Sequence, residues 1–262
     1  MRRDGADTRD PESDTRDAGS DTAPDDPFAR LLETERIEHN RYLTLLRTLE
    51  PMREHFADRR VLDYGASSGL SIAALLRLGA ARCVGVEPDR ERVERAARLL
   101  PAAGLADRAQ VRYVEDTRDL QFRDDAFGFI LANAVFEHIP QPRDRHLAEL
   151  WRVLRPGGVL IVNETPNKYF PKEKHTTRLW FNHWLPGDVA RRRAIRRGRW
   201  SKDRDDWDSS GWRGVGYLEL VAPLGPRTLI PEDSRRRHRV LRALGIPASI
   251  LDPYPTWIFR KE

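Results

Sequence analysis

Three groups of residues in this chain have the types and spacing to do chemistry. The first is a glycine-bearing turn, VLDYGASSGLS, from Val61 to Ser71. Where such a turn joins a strand to a helix, its backbone can approach a ligand closely and its free N–H groups can face it. Its register excludes two common uses. Counting from Gly65, a dinucleotide fingerprint needs glycine at the third and sixth positions, which here are Ser67 and Leu70. No Gly-Lys-Ser/Thr of a phosphate loop is present either. What remains is Asp63, Gly65, Ser67 and Gly69 at alternate positions. The second group is carboxylates at expected strand ends. Glu87 follows Gly65 by 22 residues, where a carboxylate can accept hydrogen bonds from both hydroxyls of a ribose. A dehydrogenase would use the same residue, so Glu87 alone does not discriminate. The third group is histidines able to act as general bases. His138, beside Glu137, and His175 follow expected strands, as does His183; His39, His55, His146 and His238 have no supporting context.

These residues need a frame that brings strand ends together. Short apolar runs alternate with segments of helical spacing. Strands are expected at Arg59–Gly65, Arg82–Pro88, Ala109–Asp116, Ala126–Asn133 and Val159–Thr165. Helices are expected at Ser71–Ala80, Arg90–Gly104 and Arg143–Gly158, the last stopped by Pro-Gly-Gly. The alternation predicts an α/β fold, doubly wound, with helices on both faces of a mostly parallel sheet. Ligands of such sheets bind outside the carboxyl ends of the strands, near the switch in strand order. Further on, Gly214–Gly225 reads as a helix leading to a strand at Arg227–Ile230. Arg235–Gly245 reads as a helix and Pro255–Lys261 as a closing strand. The full expectation is a seven-stranded sheet with an antiparallel last strand.

With the motifs in this order, the chain resembles the Rossmann-like (class I) S-adenosylmethionine-dependent methyltransferases, bacterial small-molecule members in particular. Their first motif, an acidic residue followed by alternate glycines, is matched by Asp63, Gly65 and Gly69, with Ser67 departing from the commonest form. The resemblance makes Glu87 a partner of the cofactor's ribose. It places Asp116, with its neighbour Thr117, near the adenine, and Asn133 beside the methionine part. It also implies that LRPGGVLIV, Leu154 to Val162, is a structural turn into the fifth strand. The cofactor it implies is S-adenosyl-L-methionine; no metal is expected. His138 and His175 are the candidate catalytic residues. The segment Thr165–Pro186 resembles a subset of bacterial members in which a Thr-Pro-Asn turn leads to a His-Thr segment.

Composition bounds the rest. Of 262 residues 39% are hydrophobic, enough for a sizeable core. No stretch approaches the roughly 20 apolar residues of a spanning helix. With Cys83 as the sole cysteine and no apolar leader, a cytoplasmic setting is expected. Residues 1–26 hold nine acidic and four basic side chains and few large apolar ones, so they are expected to be a disordered acidic tail. Residues 27–58 read as leading helices that pack on the core and can close over a cofactor. Residues 59–262 read as the methyltransferase domain, with an insertion at about 165–224. That insertion carries five of the seven tryptophans and the basic run RRRAIRRGRW. Trp with Arg there leaves a peripheral membrane contact open; the competing reading is a small accessory core with a solvated helix face.

The net charge is +5, and the chain beyond residue 26 carries 32 acidic against 42 basic residues. Such a basic body suits acidic partners. A small-molecule acceptor, methylated at oxygen (a glycan, a lipid-linked or a secondary-metabolite acceptor), is the leading expectation. RNA methylation is the alternative. The sequence disfavours nucleic acid, because NAVF at Asn133–Phe136 lacks the Asn/Asp-Pro-Pro-Tyr/Phe motif of base-nitrogen methylation. A non-catalytic cofactor-binding protein is the third reading. Oligomeric state is not legible.

Overall fold

A computed structural model describes residues 26–230 and 252–262. The acidic segment before residue 26 and the helix expected at Arg235–Gly245 lie outside the described residues. The chain enters through α1 (Pro27–Leu31) and α2 (Arg36–Leu49). Asp26, the last residue of the expected tail, is the buried N-cap of α1. Its carboxylate accepts from the Phe28 and Ala29 amides at 3.0 and 3.2 Å and from the Tyr42 hydroxyl at 2.8 Å. One side chain thus satisfies two orphan amides of α1 and ties it to α2.

Seven strands follow: β1 (Arg60–Tyr64), β2 (Arg82–Glu87), β3 (Ala109–Tyr113), β4 (Phe127–Asn133), β5 (Leu154–Asn163), β6 (Arg227–Ile230) and β7 (Trp257–Lys261). Their order is β3-β2-β1-β4-β5-β7-β6. β1 to β5 pair in parallel, and β7 runs antiparallel to both β5 and β6. The doubly wound, mostly parallel sheet with an antiparallel last strand is as expected. Helices α3 (Leu70–Arg77), α4 (Arg90–Ala102) and α5 (Asp144–Val153) connect the parallel strands. The sheet's alternation divides the core. Val61, Phe129, Leu131 and Ile161 face the layer of α1 to α4; Leu62, Tyr64, Ile130 and Leu160 face that of α5. The strand order reverses between β1 and β4, which places the switch point at the ends of those two strands.

Two boundaries differ from expectation. α5 ends at Val153 and β5 begins at Leu154, so Pro-Gly-Gly lies inside the strand. Leu154 already pairs with Phe127, while Val159 pairs with Phe129, so β5 spends three extra residues as a bulge. Gly157 absorbs it at φ +72°. β3 ends at Tyr113, opposite Glu87, which leaves Asp116 beyond the ladder.

After β5 comes the insertion. It contains α6 (Gly187–Arg196) and leads to α7 (Tyr217–Val221), shorter than the helix expected over Gly214–Gly225. Trp200, Trp207 and Trp212 are buried with Ala190 and Ala194 in a separate small core, Trp207 stacked on Trp212 at 4.7 Å. Trp180 and Trp184 remain exposed. The accessory core thus accounts for three of the five tryptophans. No helix among the described residues is long and apolar enough to cross a membrane.

Candidate active site

The turn after β1 is the foundation of the site. Gly65, Ser67 and Gly69 all have positive φ, at +78°, +48° and +89°. The turn is fixed by its own backbone: the Gly65 and Ala66 amides donate to the Val86 carbonyl at 2.9 and 3.1 Å, and the Gly69 amide donates to the Ala66 carbonyl at 2.9 Å. At Gly65 a side chain is excluded: a Cβ would lie 2.5 Å from Cγ2 of Val135. Gly85 on β2 is equally constrained, since a Cβ there would lie 2.4 Å from the Ala66 Cβ and 2.8 Å from Ile72. Its absence lets the turn and α3 settle onto β2. Ser67 occupies the left-handed conformation that glycine adopts more easily, and its amide is held. Ser67 N–H donates to Oε2 of Glu87 at 2.8 Å, and Asp89 N–H donates to Oε1 at 3.1 Å. A carboxylate has about four lone-pair sites, so Glu87, buried at the end of β2, keeps acceptor capacity for a ligand.

A cavity of about 860 Å³ opens over these strand ends. Gly65, Ser67, Glu87, Thr117, Asn133, His138 and His175 line it together. Thr117 is steadied by His146, whose Nδ1 lies 3.1 Å from the Thr117 hydroxyl and 2.8 Å from that of Tyr64. Asn133 accepts from Asn163 Nδ2 at 2.7 Å and donates to Glu164 at 3.1 Å.

Three expected cofactor residues stand outside the lining. Asp63 is buried beneath the turn, where its Oδ2 accepts from the Ser71 hydroxyl at 2.5 Å. Burial, opposed by that bond, pushes its pKa up to about 7. It holds the turn against α3 rather than facing a ligand. Gly69 is the N-cap of α3 and packs toward Leu100. Asp116 is exposed and grips Arg118 with both oxygens at 2.8 Å; that guanidinium and the Arg118 amide lower its pKa to about 2. Beyond the β3 ladder, nothing orients its side chain into the cavity.

Several lining residues carried no sequence signal. Glu38, Asn40, Arg41 and Thr44 of α2 roof the cavity, and Arg92 and Arg95 of α4 flank it. Arg95 pairs with Glu35 just before α2, tying that roof to α4. On an amphipathic helix such side chains read as solvated surface. Glu164, directly after β5, lines the cavity with no motif to mark it.

At the far wall, Glu137, His138 and His175 meet, with one ligand-type atom from each lying within 4.8 Å of the others. His138 and His175 rings are 5.4 Å apart. Glu137 is buried; its Oε2 accepts from the Thr165 hydroxyl at 3.2 Å and its Oε1 has no hydrogen-bond partner. Burial pushes its pKa up to about 7. Burial, then the neighbouring His138 ring, lowers the pKa of His175. His175 is placed by Glu173, whose buried carboxylate accepts from the amides of His175, Thr176, Thr177 and Arg178. His183 is buried elsewhere in the insertion and does not line the cavity.

Residues 62–162 match a family model described as a methyltransferase domain. A solved structure from Galdieria sulphuraria, described as a candidate sarcosine dimethylglycine methyltransferase, is 16% identical. It aligns over 87% of this chain and 88% of its own at a TM-score of 0.54, which shows a shared fold. Residues 62–162 thus match a methyltransferase domain, and the chain has the fold of that solved structure. Among relatives of this chain, an uncharacterized methyltransferase of Mycobacterium leprae (strain Br4923) is 35% identical over 153 residues, 58% of this chain and 52% of that protein. A tRNA U34 carboxymethyltransferase of Cellvibrio japonicus is 35% identical over 105 residues, 40% of this chain and 32% of that protein. The chain thus spans about half or less of the length of these relatives. All the expected cofactor residues, and His138, fall inside the matched segment; His175 lies beyond it.

The residues of this cavity fit S-adenosylmethionine. Gly65 leaves the lining without a side chain at the turn, and the buried Glu87 carboxylate faces the same cavity with acceptor sites to spare.

Proposed function

We propose that this methyltransferase moves a methyl group to an oxygen of a small-molecule acceptor. The observation that carries the reading is one continuous cavity. It joins the turn and Glu87 at one side to the two imidazoles of His138 and His175 at the other, with the buried Glu137 carboxylate beside them. In this reading Gly65, Ser67, Glu87, Thr117 and Asn133 hold S-adenosylmethionine, which supplies a sulfonium methyl open to in-line displacement. The protein's part is to position the reactants and to manage a proton.

His138 and His175 are suited to the proton. Nδ1 of His138 lies 2.8 Å from the carbonyl oxygen of Ser209. A carbonyl only accepts, so Nδ1 carries the hydrogen and Nε2 presents a lone pair to the cluster. His175, its pKa lowered by burial, is neutral near pH 7 and is likewise an acceptor. The roof of α2 and the insertion enclose the acceptor side. Exposed Arg192, Arg196, Arg197 and Arg199 on and after α6 favour a second reading, an RNA acceptor, and one relative is named for tRNA.

The test is methyl transfer from labelled S-adenosylmethionine to separate panels of hydroxylated small molecules, glycans, lipid-linked acceptors and total tRNA. Transfer to a small hydroxylated compound, reduced at least about tenfold by His175→Ala, supports the proposal. Transfer to tRNA alone, with steep salt dependence, replaces it with the second reading.

A further inference from the structure

We propose that Glu137, His138 and His175 form a site for a divalent transition cation that orients the acceptor's oxygen. This rests on reading the cavity as the methyl-transfer site; with the cation bound, Nε2 of His138 is a ligand and no longer a proton acceptor.

Four observations converge. The three ligand-type atoms already lie within 4.8 Å of one another, and His138 Nε2 is 3.9 Å from Glu137 Oε1. Bonds of about 2.0–2.1 Å from imidazole and carboxylate place adjacent ligand atoms roughly 3.3 Å apart, so a cation has only to draw the cluster in. His138, half exposed at the cavity edge, has room to move. Second, Glu137 Oε1 is buried, aimed at the cluster and without a hydrogen-bond partner. A buried carboxylate oxygen left unpaired is costly, and a cation removes that cost.

Third, the outer partners are those a metal site uses. The Ser209 carbonyl fixes the His138 tautomer with Nε2 free, the Thr165 hydroxyl holds Oε2 of Glu137 so that Oε1 is presented, and Glu173 fixes the backbone of His175. Fourth, the loop bearing Ser209 is pressed onto the ligands at Gly211. A Cβ at Gly211 would lie 2.7 Å from Cδ2 of His175 and 3.1 Å from Cγ of Glu137.

Two imidazoles and one carboxylate suit Mn²⁺, Fe²⁺, Co²⁺ or Zn²⁺ better than Mg²⁺ or Ca²⁺. Three protein ligands leave coordination positions open toward the cavity, as in sites that take a substrate oxygen.

The experiment is calorimetric titration of ZnCl₂ and CoCl₂ into untagged, chelator-treated full-length protein, without cofactor or acceptor. Visible absorption of bound Co²⁺ is the second readout. The expected result is one saturable equivalent in wild type and in the control His39→Ala, a partly exposed histidine outside the cluster. His138→Ala, His175→Ala and Glu137→Gln should each weaken it by at least about tenfold, since even loss of an outer partner costs metal sites that much. The Co²⁺ bands should fade in the same variants. No saturable binding by the folded wild type, or binding that His138→Ala leaves unchanged, overturns the proposal. His138 is half exposed, so that variant keeps its fold. S-adenosylmethionine binding is measured on the same samples, so loss of the cation site and failure of the methyltransferase reading give different patterns.

Discussion

At the scale of single residues, small backbone facts decide the chemistry. Gly65 combines φ +78° with a neighbour, Val135, that occupies the place of any Cβ. Gly65→Ala is expected to destabilise the protein by about 1–3 kcal/mol and to weaken cofactor binding at least tenfold, about 1.4 kcal/mol. Urea unfolding and calorimetry check both; retention of wild-type affinity would show that the turn does not contact the cofactor. Asp63 and Glu137 make a prediction about pH. Both carboxyls bind protons more tightly folded than unfolded, with pKa values raised to about 7. Stability therefore falls as pH rises from about 4 to about 7, where the folded groups must ionise in a buried setting. Asp63→Asn removes one such group, which retains the hydrogen bond from Ser71. It should flatten the decline by roughly 3 kcal/mol, read as urea midpoints at pH 5 and pH 8. An unchanged slope would show that Asp63 is ionised across that range.

Residues of this kind were legible only in part. Gly65, Ser67, Glu87, Asn133, His138 and His175 sit in motifs, and the structure brings them into one cavity. Asp63 sits in the same motif, yet burial gives it a supporting position, which spacing cannot distinguish from ligand contact. Asp116 stands outside the cavity lining, because β3 stops three residues earlier than its apolar pattern suggests. Glu173, which arranges the loop of His175, carries no local signal, because its partners are backbone amides.

At the scale of elements, apolar periodicity identified the strands and helices, and boundaries moved where backbone chemistry is ambiguous. Pro-Gly-Gly reads as a helix stop followed by a turn, but the bulge in β5 takes it into the sheet. The roof by α2 was expected only as packing that can close over a cofactor; which polar side chains face inward depends on its tilt. In the insertion, three buried tryptophans pack with residues of α6 in the accessory core, while Trp180 and Trp184 stay exposed. Trp207→Ala is expected to cost about 3–5 kcal/mol in thermal or urea unfolding. A loss below about 1 kcal/mol would show that this small core is not part of the cooperative unit.

At the scale of the molecule, the parallel sheet explains why residues far apart in sequence converge. Reversal of strand order between β1 and β4 opens a cleft at their carboxyl ends, and each chemically able residue ends or follows one of the five parallel strands. The loops after β4 and β5 then carry Glu137, His138 and His175 to the opposite wall. The central claim is that this cleft is the S-adenosylmethionine site with Glu87 at its floor. Calorimetric titration of S-adenosylmethionine and S-adenosylhomocysteine into wild type and Glu87→Ala tests it most directly. The account predicts saturable, roughly micromolar binding of both by wild type, weakened at least about thirtyfold, or about 2 kcal/mol, by the substitution. Absence of binding to folded wild type, or equal affinity in Glu87→Ala, would contradict it.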